Sequence, residues 1–157
     1  RQSAKMGGGM QNVDKIFTPC YNRPMSNKDV IELLRHWSDM ADYDMKTAQN
    51  MFDAKRYPYV LFMCHLSIEK LLKAIIVKQT NKHAPYTHNL VELGKNSGID
   101  FKETQQILLA DLKEFNLEAR YPEWKKDFYK KANRKYTEEY LLQTKALFIW
   151  LKKYLKK

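Results

Sequence analysis

The segment LFMCHLSIEKLLKA, residues 61–74, sets His65, Glu69, Lys70 and Lys73 among leucines and isoleucines. On a helix His65 and Glu69 stand four apart and share a face, as do Glu69 and Lys73. An imidazole, a carboxylate and ammonium groups in one polar stripe can hold an anionic ligand beside a helical core. Ordinary boundary pairs, each worth about 0.2–0.5 kcal/mol, have the same spacing. Asp44 raises a related question. It falls inside an otherwise apolar stripe, where a carboxylate needs a partner if it is buried; the alternative is a wet edge to that stripe.

A second group of residues surrounds LEARYPEW, residues 117–124. Arg120 and Tyr121 precede Pro122, and Lys125, Lys126, Lys130, Lys131, Arg134 and Lys135 follow. Between them stand Trp124, Phe128, Tyr129 and Tyr136. Guanidinium and ammonium groups hold phosphates, and aromatic rings stack on bases, so this composition suits a nucleotide or RNA. A solvated basic connector with a few rings tucked into a core has the same composition. Arg120 itself can contact a phosphate, cap a helix or pair with an acid such as Asp44.

Other chemistry is missing from the chain. It has no phosphate loop of the GxxxxGK[ST] type, no GxGxxG and no GxSxG, which argues against a nucleotide hydrolase or a dehydrogenase. His83 and His88 flank a short loop, but no third ligand lies at a suitable spacing and HExxH is absent, so no metal site and no cofactor are expected. Cys20 and Cys64 make neither a disulfide framework nor a zinc site. The chain carries 28 basic and 18 acidic residues, a net +10, which favours polyanionic partners. No apolar run approaches the roughly 20 residues that span a bilayer. The expected setting is the cytoplasm, with no membrane contact.

Helices must position these groups. Val30, Leu33, Leu34, Trp37, Met40, Ala41, Ala48 and Met51 recur at helical spacing and predict a helix over about 28–52, with Ser26 or Asn27 as its cap. A stronger apolar pattern predicts a helix over 56–78, with Pro58 in its first turn. The short join makes these two an antiparallel hairpin. A short helix is expected over 88–95, capped by Thr87, and a long one over 102–119, stopped by Pro122. A last amphipathic helix is expected from Thr137 to Leu155. No useful strand alternation occurs. The fold class is therefore all-α, an up-down helical bundle of four long helices plus one short helix. Residues 1–24 hold three consecutive glycines and no periodicity. They read as a disordered leader or an added arm, set apart from a helical bundle domain at 25–157.

The order of WSDMADYDMKTAQNMF, YPYVLFMCHLSIEKLLKAIIV, THNLVEL and LEARYP, followed by an amphipathic helix, resembles the HEPN domain family (higher eukaryotes and prokaryotes nucleotide-binding). The resemblance covers about Ser26 to Leu155. It implies a helical bundle that commonly forms a homodimer. Small prokaryotic members are often paired with a minimal nucleotidyltransferase in toxin–antitoxin-like modules. Many members are metal-independent RNases whose motif is an arginine followed, after four to six residues, by a histidine. From Arg120 that histidine would fall at 125, 126 or 127, which hold Lys125, Lys126 and Asp127; no other arginine satisfies the spacing. A lysine there is a poor general base at neutral pH unless its pKa is strongly lowered.

The resemblance thus implies a non-catalytic HEPN protein that binds a nucleotide or nucleic acid, with no catalytic residue assigned. The residues carried over to ligand binding are Asp44, His65, Glu69, Lys70, Arg120 and Tyr121, joined by Lys125 and Lys126. The alternatives are an RNase with a degenerate motif, using Arg120 with His65 or a lysine, and a module that binds only protein.

Overall fold

A computed structural model describes the backbone of residues 25–118 and 122–156, and the side chains of 25–118 and 126–156. The expected leader at 1–24 lies outside the described residues. Six helices follow one another: α1 (Asn27–Asp53), α2 (Tyr57–Thr80), α3 (Leu90–Asn96), α4 (Glu103–Glu118), α5 (Pro122–Lys131) and α6 (Arg134–Lys156). Among the described residues there is no strand.

Helix α1 begins at a reciprocal cap. The Ser26 hydroxyl accepts from the Asp29 backbone N–H, and the Asp29 carboxylate accepts from the Ser26 N–H. The join to α2 is three residues long. Lys55 adopts a left-handed backbone (φ 59°) within it, and the Arg56 N–H donates to Met51 O at 2.8 Å, so the chain reverses at once.

Helix α2 is apolar on nearly every side and is the axis of the fold. It packs against α1, α3, α4, α5 and α6. Leu61, Ile68, Leu71, Leu72 and Ile75 are fully buried along it. A helix buried all round lacks an amphipathic signature, which is why its polar residues stand out. At its far end Asn81 takes a left-handed backbone, and the Lys78 amine donates to the carbonyls of Tyr154 and Leu155, capping α6.

Three features differ from those read in the sequence. Asn89, rather than Thr87, caps α3, its side chain accepting from the N–H groups of Val91 and Glu92. The stretch after Pro122, to which the sequence pattern assigns no helix, is the ten-residue helix α5. Of its described side chains only Phe128 is buried, followed by Ala132 just past its end, so its apolar signal is one short stripe among lysines. Phe128 stacks on Phe115 of α4, which also meets Tyr136 and Tyr140 of α6. Asn133 then caps α6, accepting from the Tyr136 N–H at 3.0 Å. That places the start of α6 at Arg134, three residues before the Thr137 start predicted from the sequence.

Candidate functional site

Glu69 lies at the middle of α2 and is 4% exposed. Three side chains converge on its carboxylate. His65 Nε2 lies 3.1 Å from Oε2, the Lys73 amine donates to Oε1 at 2.8 Å, and His88 Nδ1 lies 3.0 and 3.1 Å from the two oxygens. Burial alone would push this carboxyl up. The hydrogen bonds from His65 and Lys73, the charge of Lys73 and the hydrogen bond from His88 outweigh burial and hold it down at about 2. Glu69 is therefore an anion that only accepts.

That fixes the protons on the histidines. His65 is fully buried, and its Nδ1 lies 3.0 Å from the Leu112 carbonyl oxygen on α4. Both of its ring nitrogens thus face acceptors, and the ring is held between α2 and α4. His88 sits just before α3 and presents Nδ1 to Glu69, so Nδ1 is the donor and Nε2 points elsewhere. Its side chain is about half exposed, at 49%. Nearly fully exposed Tyr86 lies beside it, with ring centroids 6.4 Å apart.

The cluster extends toward α1. The Lys73 amine sits 5.1 Å from the centroid of the Trp37 ring, a cation–π contact. Trp37 Nε1 is buried and has no hydrogen-bond partner among the described residues. Asp44 is buried and is paired with Lys70 of α2. Its stripe is thus not wet at that point, and its ion-pair partner among the described residues is this lysine.

The structure brings together His65 and Glu69 in one network and Asp44 and Lys70 in one pair. The stripe is a buried polar network and not a row of surface pairs. Lys126 is exposed on α5, apart from that network. Arg120 and Tyr121, and the side chain of Lys125, lie outside the described residues. His88 is the member that sequence spacing missed. It read as a helix start, and nothing in THNL pairs it with a residue nineteen positions earlier. The available signal was Glu69 itself, a carboxylate on an apolar helix that needs more than one donor.

On α5, Tyr129 is exposed and meets exposed Tyr59 of α2 edge to face, with ring centroids 6.5 Å apart. The hydrogen bond with Tyr59 and partial burial push the Tyr129 phenol up to about 12, so it stays protonated. Lys126, Lys130 and Lys131 are exposed on the same helix.

Residues 34–154 match the HEPN domain. The chain belongs to the HEPN domain family. TT1696 from Thermus thermophilus has a similar fold at a TM-score of 0.67, with 18% identity, covering 77% of this chain and 97% of that one. No curated protein matches the sequence. Within this HEPN chain, the charge network spans α2, the loop before α3, and the Leu112 carbonyl of α4, and the contact of Lys73 with the Trp37 ring reaches α1. No helix among the described residues is long and apolar enough to cross a membrane, and none of their His, Cys, Asp and Glu side chains gather into a metal-binding group.

Proposed function

We propose that this HEPN protein binds a nucleotide or single-stranded nucleic acid without cleaving it. The observation that carries the reading is the closure of His65. An imidazole with no exposure and both nitrogens engaged cannot take a proton from a substrate hydroxyl. The sequence offers no histidine at the spacing of the family's RNase motif either. Binding is supported by the family, by the net charge of +10, and by the lysines and Tyr129 exposed on α5 beside exposed Tyr59 of α2. Aromatic rings among lysines suit stacked bases threaded along a phosphate backbone.

Fluorescence anisotropy with a labelled single-stranded RNA tests this directly. Affinity should fall steeply with added salt, as counterion release requires. Replacing Lys126 and Lys130 together by alanine should weaken binding and flatten the salt slope. Salt-independent binding, or none at low salt, would contradict the reading.

The biological setting we propose is the HEPN half of a nucleotidyltransferase-linked, toxin–antitoxin-like module, acting as a homodimer. Leu142 and Ile149 are both exposed on α6, seven residues apart and so on one face, which suits a helix-to-helix contact between two copies. Sedimentation velocity of the wild type against Ile149→Lys tests the dimer. Co-purification with a minimal nucleotidyltransferase encoded beside it tests the module.

A further inference from the structure

We propose that His88 is the ligand-contacting residue of the buried charge cluster, donating from Nε2 to a phosphate oxygen of a bound nucleotide, with Tyr86 beside it as the platform for the base. This rests on the nucleotide-binding reading above and names the group that would read the phosphate.

Three observations converge on it. The first is charge. Around the Glu69 anion stand His65 and Lys73, so its charge is already matched by the Lys73 ammonium before His88 is counted. An anion placed at the cluster's open side then meets donors with no unmatched carboxylate to repel it. The neighbouring Asp44–Lys70 pair is likewise balanced.

The second is orientation. His65 and Lys73 are buried, whereas the His88 side chain is half exposed, so His88 is where the cluster meets solvent. Glu69 fixes Nδ1 as the inward donor. A carboxylate on one ring nitrogen sets the direction of the other, and a phosphate that binds while Nε2 carries a proton meets a charge-assisted donor there.

The third is Tyr86. It is 91% exposed, and its ring centroid lies 6.4 Å from that of His88. A large ring so fully in water next to a charged donor makes a surface for a flat, partly apolar group. A nucleobase attached to a phosphate matches both halves.

The test is a titration of the full-length protein with ATP, with adenosine as the phosphate-free control, while the imidazole nitrogens are followed by ¹⁵N NMR. The proposal expects ATP to move the His88 Nε2 resonance and adenosine to leave it in place. His88→Ala should weaken ATP binding about tenfold or more, the effect of losing one hydrogen bond to a charged group. His88→Gln, which keeps a neutral donor, should lose less, and His83→Ala in the same loop should bind as the wild type does. If ATP and RNA bind equally well to His88→Ala and the Nε2 resonance stays still, His88 is a structural partner of Glu69; the proposal falls and nucleotide binding elsewhere stands. If the wild type binds neither ATP nor RNA, both fall together.

Discussion

His88 Nδ1 bridges both carboxylate oxygens of Glu69, at 3.0 and 3.1 Å, across a sequence separation of nineteen residues. This contact joins the loop before α3 to the middle of the central helix. It completes a network in which a buried anion accepts from three side chains on two segments, one of which is also anchored to α4 through the Leu112 carbonyl.

Removing the anion from that network should be costly. Glu69→Ala leaves the Lys73 ammonium and the His65 ring buried without their acceptor. Breaking a buried ion pair from one side typically costs about 3–5 kcal/mol. Urea unfolding should show a lower midpoint by a corresponding amount. A loss under about 1 kcal/mol, the range of a surface pair, would mean that the network is open to water.

The same carboxylate sets an acid limit. Its pKa is about 2 in the fold against an ordinary 4.5, so between these values the unfolded chain binds the extra proton. The stabilisation from this group is therefore complete above about pH 4.5 and is lost as the pH falls toward 2. Urea midpoints measured across that window should decline for the wild type more steeply than for Glu69→Gln. Parallel curves would remove Glu69 from the account of acid sensitivity.

Cys64 should be chemically silent in the folded protein. Burial in the core pushes its thiol up to about 12, against the weaker opposing effects of the Thr144 hydroxyl and Lys145. In a Cys20→Ser background, a thiol reagent at about pH 8 should label the protein only as fast as it unfolds, and at once in concentrated urea. Rapid labelling without denaturant would contradict the burial.

Gly98 closes α3 with a left-handed backbone at φ 64°. An alanine there is strained whatever the surrounding space, and the expected loss is about 1 kcal/mol, read as a drop in unfolding temperature. Gly98→Asn should lose less, because asparagine tolerates this conformation. Equal losses would point to packing, since the nearest neighbour of an added Cβ is the Gln79 side-chain oxygen at 3.6 Å.

The long helices were legible because each repeats apolar residues at a period that physics assigns to a helix. Helix α5 was not, because Trp124, Phe128 and Ala132 make a stripe too short to stand out and its lysines resemble those of a solvated connector. The candidate site was legible in part. His65 and Glu69 share a helix face, so their spacing placed them together, and the Asp44 carboxylate on an apolar stripe announced a need for a partner. That Lys70 supplies it, and that His88 completes the Glu69 network, depend on how α1 and the loop before α3 lie against α2. No local spacing encodes contacts between segments that far apart.

The central claim is binding without cleavage, and an electrophoretic mobility shift of end-labelled single-stranded RNA tests it most directly, run at low salt with EDTA and followed by denaturing electrophoresis of the same samples. The account predicts a retarded complex that releases full-length RNA. RNA that is never retarded, or that emerges cut by the wild type and intact from Arg120→Ala, would contradict it.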